Sequence, residues 1–266
     1  MKKTLLFSLF VLLFTACDQN NKVNLFSPDE DVALGLQMKQ QIFADPQQFP
    51  IADPQQYPEA YAYLNSIVNQ IIESGSITYR DKFAWEVYII RDDETLNAFA
   101  TPGGYIYVYS GLIKYLDKED DLAGVLGHEI AHADLRHSTR QLQKVYGLNV
   151  LLSLILGGQN STAGDQLLTQ IVGNLTALSF SRDYEREADS RSVEYLAGTK
   201  YECDAAKSFF VKLSEENKGG QPPAFLSTHP NPEDRIAAIE NKANAMGCTV
   251  DAYNPASFRQ FKSLMP

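Results

Sequence analysis

Apolar residues in the first third of the chain follow two different periods. At helical spacing they predict a helix that begins at Ser27, where Glu30 completes a capping box, and a second helix over residues 59–73. Aromatic and β-branched residues over 83–90 predict a strand, and the alternating segment 105–109, which follows a Pro-Gly-Gly turn, predicts another.

After Ser110 the apolar periodicity is helical almost throughout. It predicts a long helix around residues 120–140 and later helices over about 166–178, 183–197, 203–215 and 231–245. Because the strands come early and the helices late, without alternation, we expect an α+β fold that is mostly helical and has a small β-sheet. We expect a single domain over residues 27–250, followed by a C-terminal tail over 251–266.

The first 17 residues have the pattern of an export signal. Lys2 and Lys3 precede the apolar segment Thr4–Phe14, and small residues lead to Cys17. This end resembles a bacterial lipobox, which predicts a signal peptide over residues 1–17, lipid attached to Cys17 and a polar tether over 18–26. An ordinary secreted protein and an uncleaved anchor are the alternatives. No other stretch reaches the ~20 apolar residues that a membrane span needs.

Charge and cysteine content narrow the possible partners and compartment. The net charge is −10, which argues against nucleic acid as a partner, since nucleic acids are bound by basic surfaces. With Cys17 lipidated, Cys203 and Cys248 form an even pair in an exported chain, where disulfides persist. We expect a bridge between them that stabilises the fold by about 4 kcal/mol; two buried thiols are the alternative.

The segment "GHEIAH" contains the clearest chemical motif. His128 and His132 lie about 40° apart on a helix, one turn apart, so both imidazoles can reach one metal ion. Glu129 lies on the same side of the helix, where a general base can take a proton from water that the metal activates. The motif predicts a catalytic zinc site on a buried helix.

A third histidine follows closely but does not fit the same ion. If the helix continues, His137 points away from the metal, into the face formed by Leu126 and Ile130. The metzincin pattern would require glycine at the position of Leu135 and histidine at that of Ser138. His137 is therefore expected to be a hydrogen-bonded structural histidine.

The third ligand is expected from a later helix, because catalytic zinc usually has three protein ligands and a water. Glu185 and Asp189 lie four residues apart on one predicted helix face, so one can bind zinc while the other supports a ligand histidine from behind. Glu187 points the other way by the same helical count. On this pattern alone a solvated charged face is the alternative.

The last histidine, His229, lies in a Pro-rich turn before the helix expected over 231–245. A surface His-Pro pair is usually without function, but near the metal such a histidine could stabilise the oxyanion of a tetrahedral intermediate. Arg235, at the start of that helix, could assist it or anchor the turn.

Together these motifs resemble the zinc metallopeptidase family that includes HtpX, BepA and the CAAX prenyl endopeptidase. Their joint occurrence in the family order, over residues 60–245, is far more specific than an isolated His-Glu-x-x-His. The four matching segments are "NAFATPGGYIYVYSGL", "GHEIAHADLRHS", "SFSRDYEREAD" and "STHPNPEDRI".

The resemblance implies a zincin-like fold of the gluzincin type and endopeptidase chemistry. It implies one Zn²⁺ held by His128, His132 and Glu185, with Glu129 as the base. His229 looks like the family histidine that lies close to the active site and gates it.

Two departures from the family pattern shape the expected role. Beyond the N-terminal signal the sequence shows no stretch that we expect to form a transmembrane helix like those of HtpX, and only about twenty residues follow the last motif helix where BepA has a repeat array. The resemblance then implies a small lipoprotein of the bacterial envelope, facing the periplasm on an undecided membrane, that cleaves unfolded or misassembled envelope proteins in quality control. A lipid-anchored, zinc-bearing holdase or assembly factor with latent proteolysis is the alternative.

Two segments are expected to handle the substrate. The strand of Tyr105, Ile106, Tyr107, Val108 and Tyr109 is expected to lie at a sheet edge and pair with extended peptide; a core strand is the alternative. Residues 147–164 form either a helix with a flexible lid over the cleft or a buried helix followed by a surface loop, and the sequence does not decide between them.

Overall fold

The computed structural model describes residues 24–156, 162–216, 223–230, 235–248 and 255–266. The predicted signal peptide, Cys17 and most of the tether lie outside these residues. Within the described residues, no helix combines the length and the apolar composition needed to cross a bilayer.

Helices dominate the described residues, and a three-stranded sheet lies near the start, as the α+β expectation requires. The elements are α1 (Pro28–Ala44), α2 (Pro58–Ile72), β1 (Glu86–Ile90), β2 (Ala98–Thr101), β3 (Tyr105–Tyr109), α3 (Ser110–Tyr115), α4 (Glu119–Asp134), α5 (His137–Tyr146), α6 (Leu148–Leu156), α7 (Thr162–Gly173), a 3₁₀ turn (Leu175–Ala177), α8 (Arg182–Leu196), α9 (Ala206–Glu216), α10 (Ala224–Thr228), α11 (Arg235–Met246) and α12 (Pro255–Ser263).

The sheet has the order β1-β3-β2, with β3 parallel to β1 and antiparallel to β2. The edge-strand role predicted for Tyr105–Tyr109 is therefore wrong: this strand is central, all five residues are buried, and neighbours flank it on both sides. Its aromatic content fills the core. The edge strand of the sheet that contacts the later helices α4 and α5 is β2. The sequence pattern did not predict β2 as a strand separate from the Pro-Gly-Gly turn.

Alternation along β3 divides the interior into two apolar clusters, one on each face of the sheet. Ile106 and Val108 face the larger cluster, which α2, α4, α8 and α9 complete. The three tyrosines of β3 face the smaller cluster, which α1, α6 and α7 cover. Every residue of α4 is buried, because other elements surround this helix on all sides.

The long helix predicted around residues 120–140 is instead two helices with a sharp turn between them. The turn occurs at Arg136, whose backbone is left-handed (φ 59°, ψ 32°), a conformation that costs a non-glycine residue roughly 1–2 kcal/mol. Arg136 is held there by Asp31 of α1 and by the carbonyl of Phe26, both contacted through its guanidinium. The turn ends α4 and redirects the chain before His137, where α5 begins.

Packing also clarifies the segment expected to be either lid or buried helix. Leu151 and Leu154 of α6 are buried against the smaller cluster, and α6 contacts α1, α5 and α7. The helical half is thus a packed element that ends at Leu156. The loop at 157–161 lies outside the described residues.

The C-terminal part of the chain is tied to the domain by two features. Cys203 and Cys248 form the disulfide predicted from the sequence, with their Cα atoms 6.2 Å apart. The expected C-terminal tail contains α12, whose Phe258 and Phe261 are buried in the larger cluster. The folded domain therefore extends beyond residue 250.

Replacing Asp31 with alanine should leave the Arg136 guanidinium buried without its counter-charge. Breaking a buried ion pair typically costs about 3–5 kcal/mol, so the free energy of unfolding in urea should fall by roughly that amount. Asp29→Ala is the matched control, because its pair with Lys82 is largely exposed and should contribute at most about 1 kcal/mol. Equal losses in the two variants would contradict this account of the turn.

Candidate metal centre

Helix α4 presents the two motif histidines side by side in the interior. The Nε2 atoms of His128 and His132 lie 3.0 Å apart, and both side chains are fully buried. The one-turn spacing brings the rings together, and the burial of α4 excludes bulk water from them.

Helix α8 brings the predicted carboxylate to the same point. Glu185 Oε1 lies 3.4 Å from His132 Nε2, and Glu185 Oε2 lies 3.3 Å from His128 Nε2. The two helices approach closely at Gly127, where an added Cβ would lie 3.1 Å from Ser192 Oγ. A glycine directly before His128 thus lets α8 deliver its carboxylate.

A fourth donor completes the cluster. The Nδ1 atom of His229 lies 3.2 Å from Glu185 Oε1 and 3.4 Å from His128 Nε2. The four donor atoms lie within 4.8 Å of one another, and all four residues are buried. His229, predicted only to lie nearby, is therefore among the residues that could hold an ion, whereas the expectation of three protein ligands stays a prediction.

Short-range contacts on α10 hold His229 in place. Its ring stacks on Phe225 at a centroid distance of 4.3 Å, and its backbone N–H donates to the carbonyl of Phe225 at 2.8 Å. Phe180 stacks on His132 at 4.0 Å, and its N–H donates to the carbonyl of Thr228. Neither phenylalanine stands out in the sequence as part of the site, although the Phe-x-x-x-His spacing of Phe225 and His229 is itself a helical signal.

Two groups outside the cluster fix the orientation of His128. Its Nδ1 lies 2.9 Å from Asp189 Oδ1, as the helical spacing allowed, so Nε2 is left to face the cluster. Arg235 donates from Nε and Nη2 to the two Asp189 oxygens, at 2.6 and 2.8 Å. The Nη2 atom of Arg235 also lies 3.0 Å from Glu185 Oε2 and 3.1 Å from His128 Nε2, so its guanidinium contacts the cluster as well as Asp189, and both roles expected for Arg235 stay predictions.

Charges at the site are strongly coupled. Burial raises the pKa of Glu185, but His229, His128 and His132 outweigh it, so the pKa lies well below its usual range. Burial lowers the pKa of His132 far below its ordinary value. An ionised carboxylate facing a neutral imidazole is the protonation pattern that a bound cation needs.

The predicted base, Glu129, is buried next to the cluster. Its Oε1 lies 3.5 Å from His229 Nε2, and neither carboxylate oxygen has a hydrogen-bond partner among the described residues. Burial raises the pKa of Glu129, against the opposing effects of His229 and His128. This is the environment of a carboxylate that can exchange a proton.

His137 does not belong to the donor cluster among the described residues, as predicted. Its predicted direction is wrong, however, because the turn at Arg136 swings it back against His132 instead of toward Leu126 and Ile130. The two Nδ1 atoms lie 3.0 Å apart.

The donor set fits one transition-metal ion. Lone pairs from three imidazoles and a carboxylate converge at 3.0–3.4 Å in a buried space, where they repel one another unless a proton or a cation lies between them. Nitrogen and oxygen donors in this number suit zinc. A helix-borne His-Glu-x-x-His motif joined by a glutamate from a second helix defines a zinc metallopeptidase centre.

The chain belongs to Peptidase family M48, whose profile matches residues 58–243. It is 31% identical over 193 residues to the beta-barrel assembly-enhancing protease of Escherichia coli, covering 69% of this chain and 39% of that protein. It is 31% identical over 196 residues to the mitochondrial metalloendopeptidase OMA1 of Schizosaccharomyces pombe, covering 72% and 56%. The chain thus spans 39% and 56% of the lengths of these two relatives.

Zinc binding should release at least one proton near pH 7. Burial and Arg235 lower the pKa of His128, but hydrogen bonds with Asp189 and Glu185 outweigh them and raise it to about 9 in the metal-free chain. An ion must displace that proton, so apparent affinity should rise about tenfold per pH unit up to pH 9 and then level off. Calorimetry in two buffers of different ionisation enthalpy counts the released protons.

Asp189→Asn is the matched control for this measurement, since the amide keeps the shape of the side chain but removes the charge that favours protonated His128. Fewer protons should be released by this variant. If the parent chain releases none near pH 7, the protonation pattern derived for the site is incorrect.

Proposed function

We propose that the chain is a zinc-dependent endopeptidase of the bacterial cell envelope that cleaves unfolded or misassembled proteins in quality control. The observation that carries the proposal is the buried donor cluster with the unpartnered carboxylate of Glu129 beside it. When bound, zinc would act as a Lewis acid toward water and a peptide carbonyl. Glu129 would take the proton of the attacking water and pass it to the leaving amine.

Cleavage on this scheme requires His229 to leave the cluster. Four protein donors fill the tetrahedral set of a structural zinc site, whereas a catalytic site keeps one position for water. Displacing His229 would break its stack on Phe225 and shift Thr228, whose hydroxyl lies 3.4 Å from Asn97 Oδ1. Once displaced, its imidazole could still donate to an oxyanion, the role expected from the sequence.

An apolar pocket next to the cluster supports unfolded protein as the substrate. The pocket runs from β2 to His229, and its lining among the described residues includes no carboxylate, ammonium or guanidinium group, so it suits the apolar side chains that unfolded proteins expose. Its lining is Phe99, Ala100, Thr101, Pro102, Ser138, Gln141, Leu142, Leu175, Leu178, Phe180, Thr228 and His229.

The outer edge of β2 supports peptide binding along this pocket. Tyr109 donates its N–H to the Asn97 carbonyl, so by strand alternation the backbone groups of Ala98 and Ala100 point away from β3. The Ser138 hydroxyl donates a hydrogen bond to the Ala100 carbonyl at 2.8 Å. The Ala100 N–H and the Ala98 carbonyl lie on the outer side of β2, where an extended substrate would pair with them as an added strand.

The cellular setting is part of the same proposal. Lipid on Cys17 would hold the domain at a membrane facing the periplasm, where unfolded or misfolded envelope proteins would be its substrates. The name of the Escherichia coli relative, a beta-barrel assembly-enhancing protease, agrees with an envelope role.

The four-donor cluster also favours a second candidate function. A site closed by His229 would bind zinc and hold substrate without cutting it, as in a holdase or assembly factor with latent proteolysis. The two candidates differ in whether the function of the chain depends on Glu129.

Glu129→Gln should retain zinc and lose proteolysis. The amide cannot accept the proton of the attacking water, so cleavage of a reduced, carboxymethylated protein should fall by at least about 100-fold, the lower range for general base catalysis. Zinc content, measured on the same samples, separates loss of base from loss of metal. Full suppression of aggregation by the variant, together with no cleavage by the parent chain, would favour the holdase.

His229→Ala should open one position at the metal while leaving the other three ligands. If His229 is the element that keeps the site closed, the variant should cleave the same unfolded protein faster than the parent chain. His229→Cys, which supplies a replacement zinc ligand, is the control and should stay slow. A slower alanine variant that retains zinc would instead identify His229 as an oxyanion donor.

A further inference from the structure

Behind His132, on the side away from the donor cluster, three side chains form a continuous hydrogen-bonded path. His132 Nδ1 lies 3.0 Å from His137 Nδ1, and His137 Nε2 lies 3.1 Å from Glu187 Oε2. The two histidines are fully buried, whereas the Glu187 side chain is 26% exposed. The path therefore leads from the cluster to the protein surface.

Covalent chemistry of imidazole fixes the direction of each hydrogen bond in this path. A neutral imidazole carries one N–H, and a metal ligand must offer its other nitrogen as a lone pair. If Nε2 of His132 serves the cluster, its proton is on Nδ1 and points at His137. The Nδ1 of His137 must then accept, which leaves its own proton on Nε2, where Glu187 is the acceptor.

We propose that His137 and Glu187 are positioning residues for the metal ligand His132, acting as a two-step relay that fixes its tautomer and ring orientation. The inference rests on the metal centre of the proposed function but not on proteolysis. His128 receives the same support in one step, from Asp189. His132 is served through a second imidazole because no carboxylate among the described residues contacts its Nδ1.

The surroundings of His137 hold it in the required orientation. Its ring stacks on Tyr184 of α8 at a centroid distance of 4.4 Å, with the planes 13° apart. The buried guanidinium of Arg140 lies 5.9 Å from the centre of the same tyrosine ring and interacts electrostatically with Glu187. Helix α8 thus supplies both the ligand Glu185 and the end of the relay.

The turn at Arg136 is what places His137 in this relay. A continuous helix would carry His137 to the far side of α4, away from His132. The left-handed residue is a local cost that places His137 behind the ligand, and strained backbone of this kind clusters at functional sites.

Nitrogen NMR of the histidine rings tests the proposal directly, since the chain contains only four histidines. In the zinc-loaded chain, long-range ¹H–¹⁵N spectra should show His132 with its proton on Nδ1 and His137 with its proton on Nε2. A proton on Nδ1 of His137 would overturn the relay, whatever the protease assays give.

Two substitutions separate positioning from packing. His137→Phe keeps a ring to stack on Tyr184 but removes the acceptor, so zinc affinity measured against a chromophoric chelator should fall about 10–100-fold. His137→Asn supplies an amide oxygen as acceptor and should recover most of that loss. If the asparagine variant binds zinc no better than phenylalanine, the role of His137 is packing alone and the proposal fails.

Glu187 provides an independent arm of the test. Glu187→Gln retains an accepting oxygen and should leave zinc affinity within a few-fold of the parent chain, whereas Glu187→Ala should weaken it about tenfold. Asp183→Ala, an exposed carboxylate on the same helix, is the control. Equal affinities for Glu187→Ala and the control would remove Glu187 from the relay. A parent chain that binds no zinc would overturn both the relay and the metal centre, whereas zinc binding without cleavage would count only against the protease.

Discussion

Mutual repulsion among buried lone pairs is the constraint on which the site depends. Three imidazole nitrogens and a carboxylate converge at 3.0–3.4 Å in a space without bulk water, where they repel one another unless a proton or a cation lies between them. In the metal-free chain the Arg235 guanidinium lies 3.0 Å from Glu185 Oε2 and relieves part of this repulsion. The fold meets this constraint by neutralising and orienting the donors: Asp189 aligns His128, Arg235 holds Asp189, and the ionised Glu185 balances the charge. Catalysis would then require a base beside the cluster, the role proposed for the buried Glu129, and a position at the ion open to water.

Tertiary contacts far from the ion maintain this geometry. Helix α4 is enclosed on all sides, so its histidines cannot rotate toward solvent. The Asp31–Arg136 pair couples the first helix to the turn that ends α4, while the Cys203–Cys248 bridge joins the segment before α9 to the residues after α11. Each link connects parts of the chain that are distant in sequence, which is why the centre needs the whole domain.

Local sequence signals predicted a large part of this structure. The capping box at Ser27 and Glu30, the strand 105–109 and the spacing of His128 and His132 depend on neighbouring residues, and the structure confirms all three. Grouping Glu185 with the histidines depended on the family resemblance, because helical spacing alone left Asp189 equally eligible.

What the sequence could not predict depends on tertiary contacts. The helix break at Arg136 is stabilised by Asp31, 105 residues earlier, so no local pattern marks it. The central place of β3 follows from its pairing with β2, a four-residue strand too short to show a period. His229 is held in the donor cluster by its stack on Phe225 and by the contacts of α10. A lone His-Pro pair in the sequence reveals none of these contacts.

Anomalous diffraction at the zinc edge, from crystals of the zinc-loaded chain, would locate the ion and its ligands. We expect one ion per chain, bonded to His128, His132, Glu185 and His229, with His137 hydrogen-bonded behind His132. An ion bonded to His137, or zinc found only away from α4, would contradict this expectation.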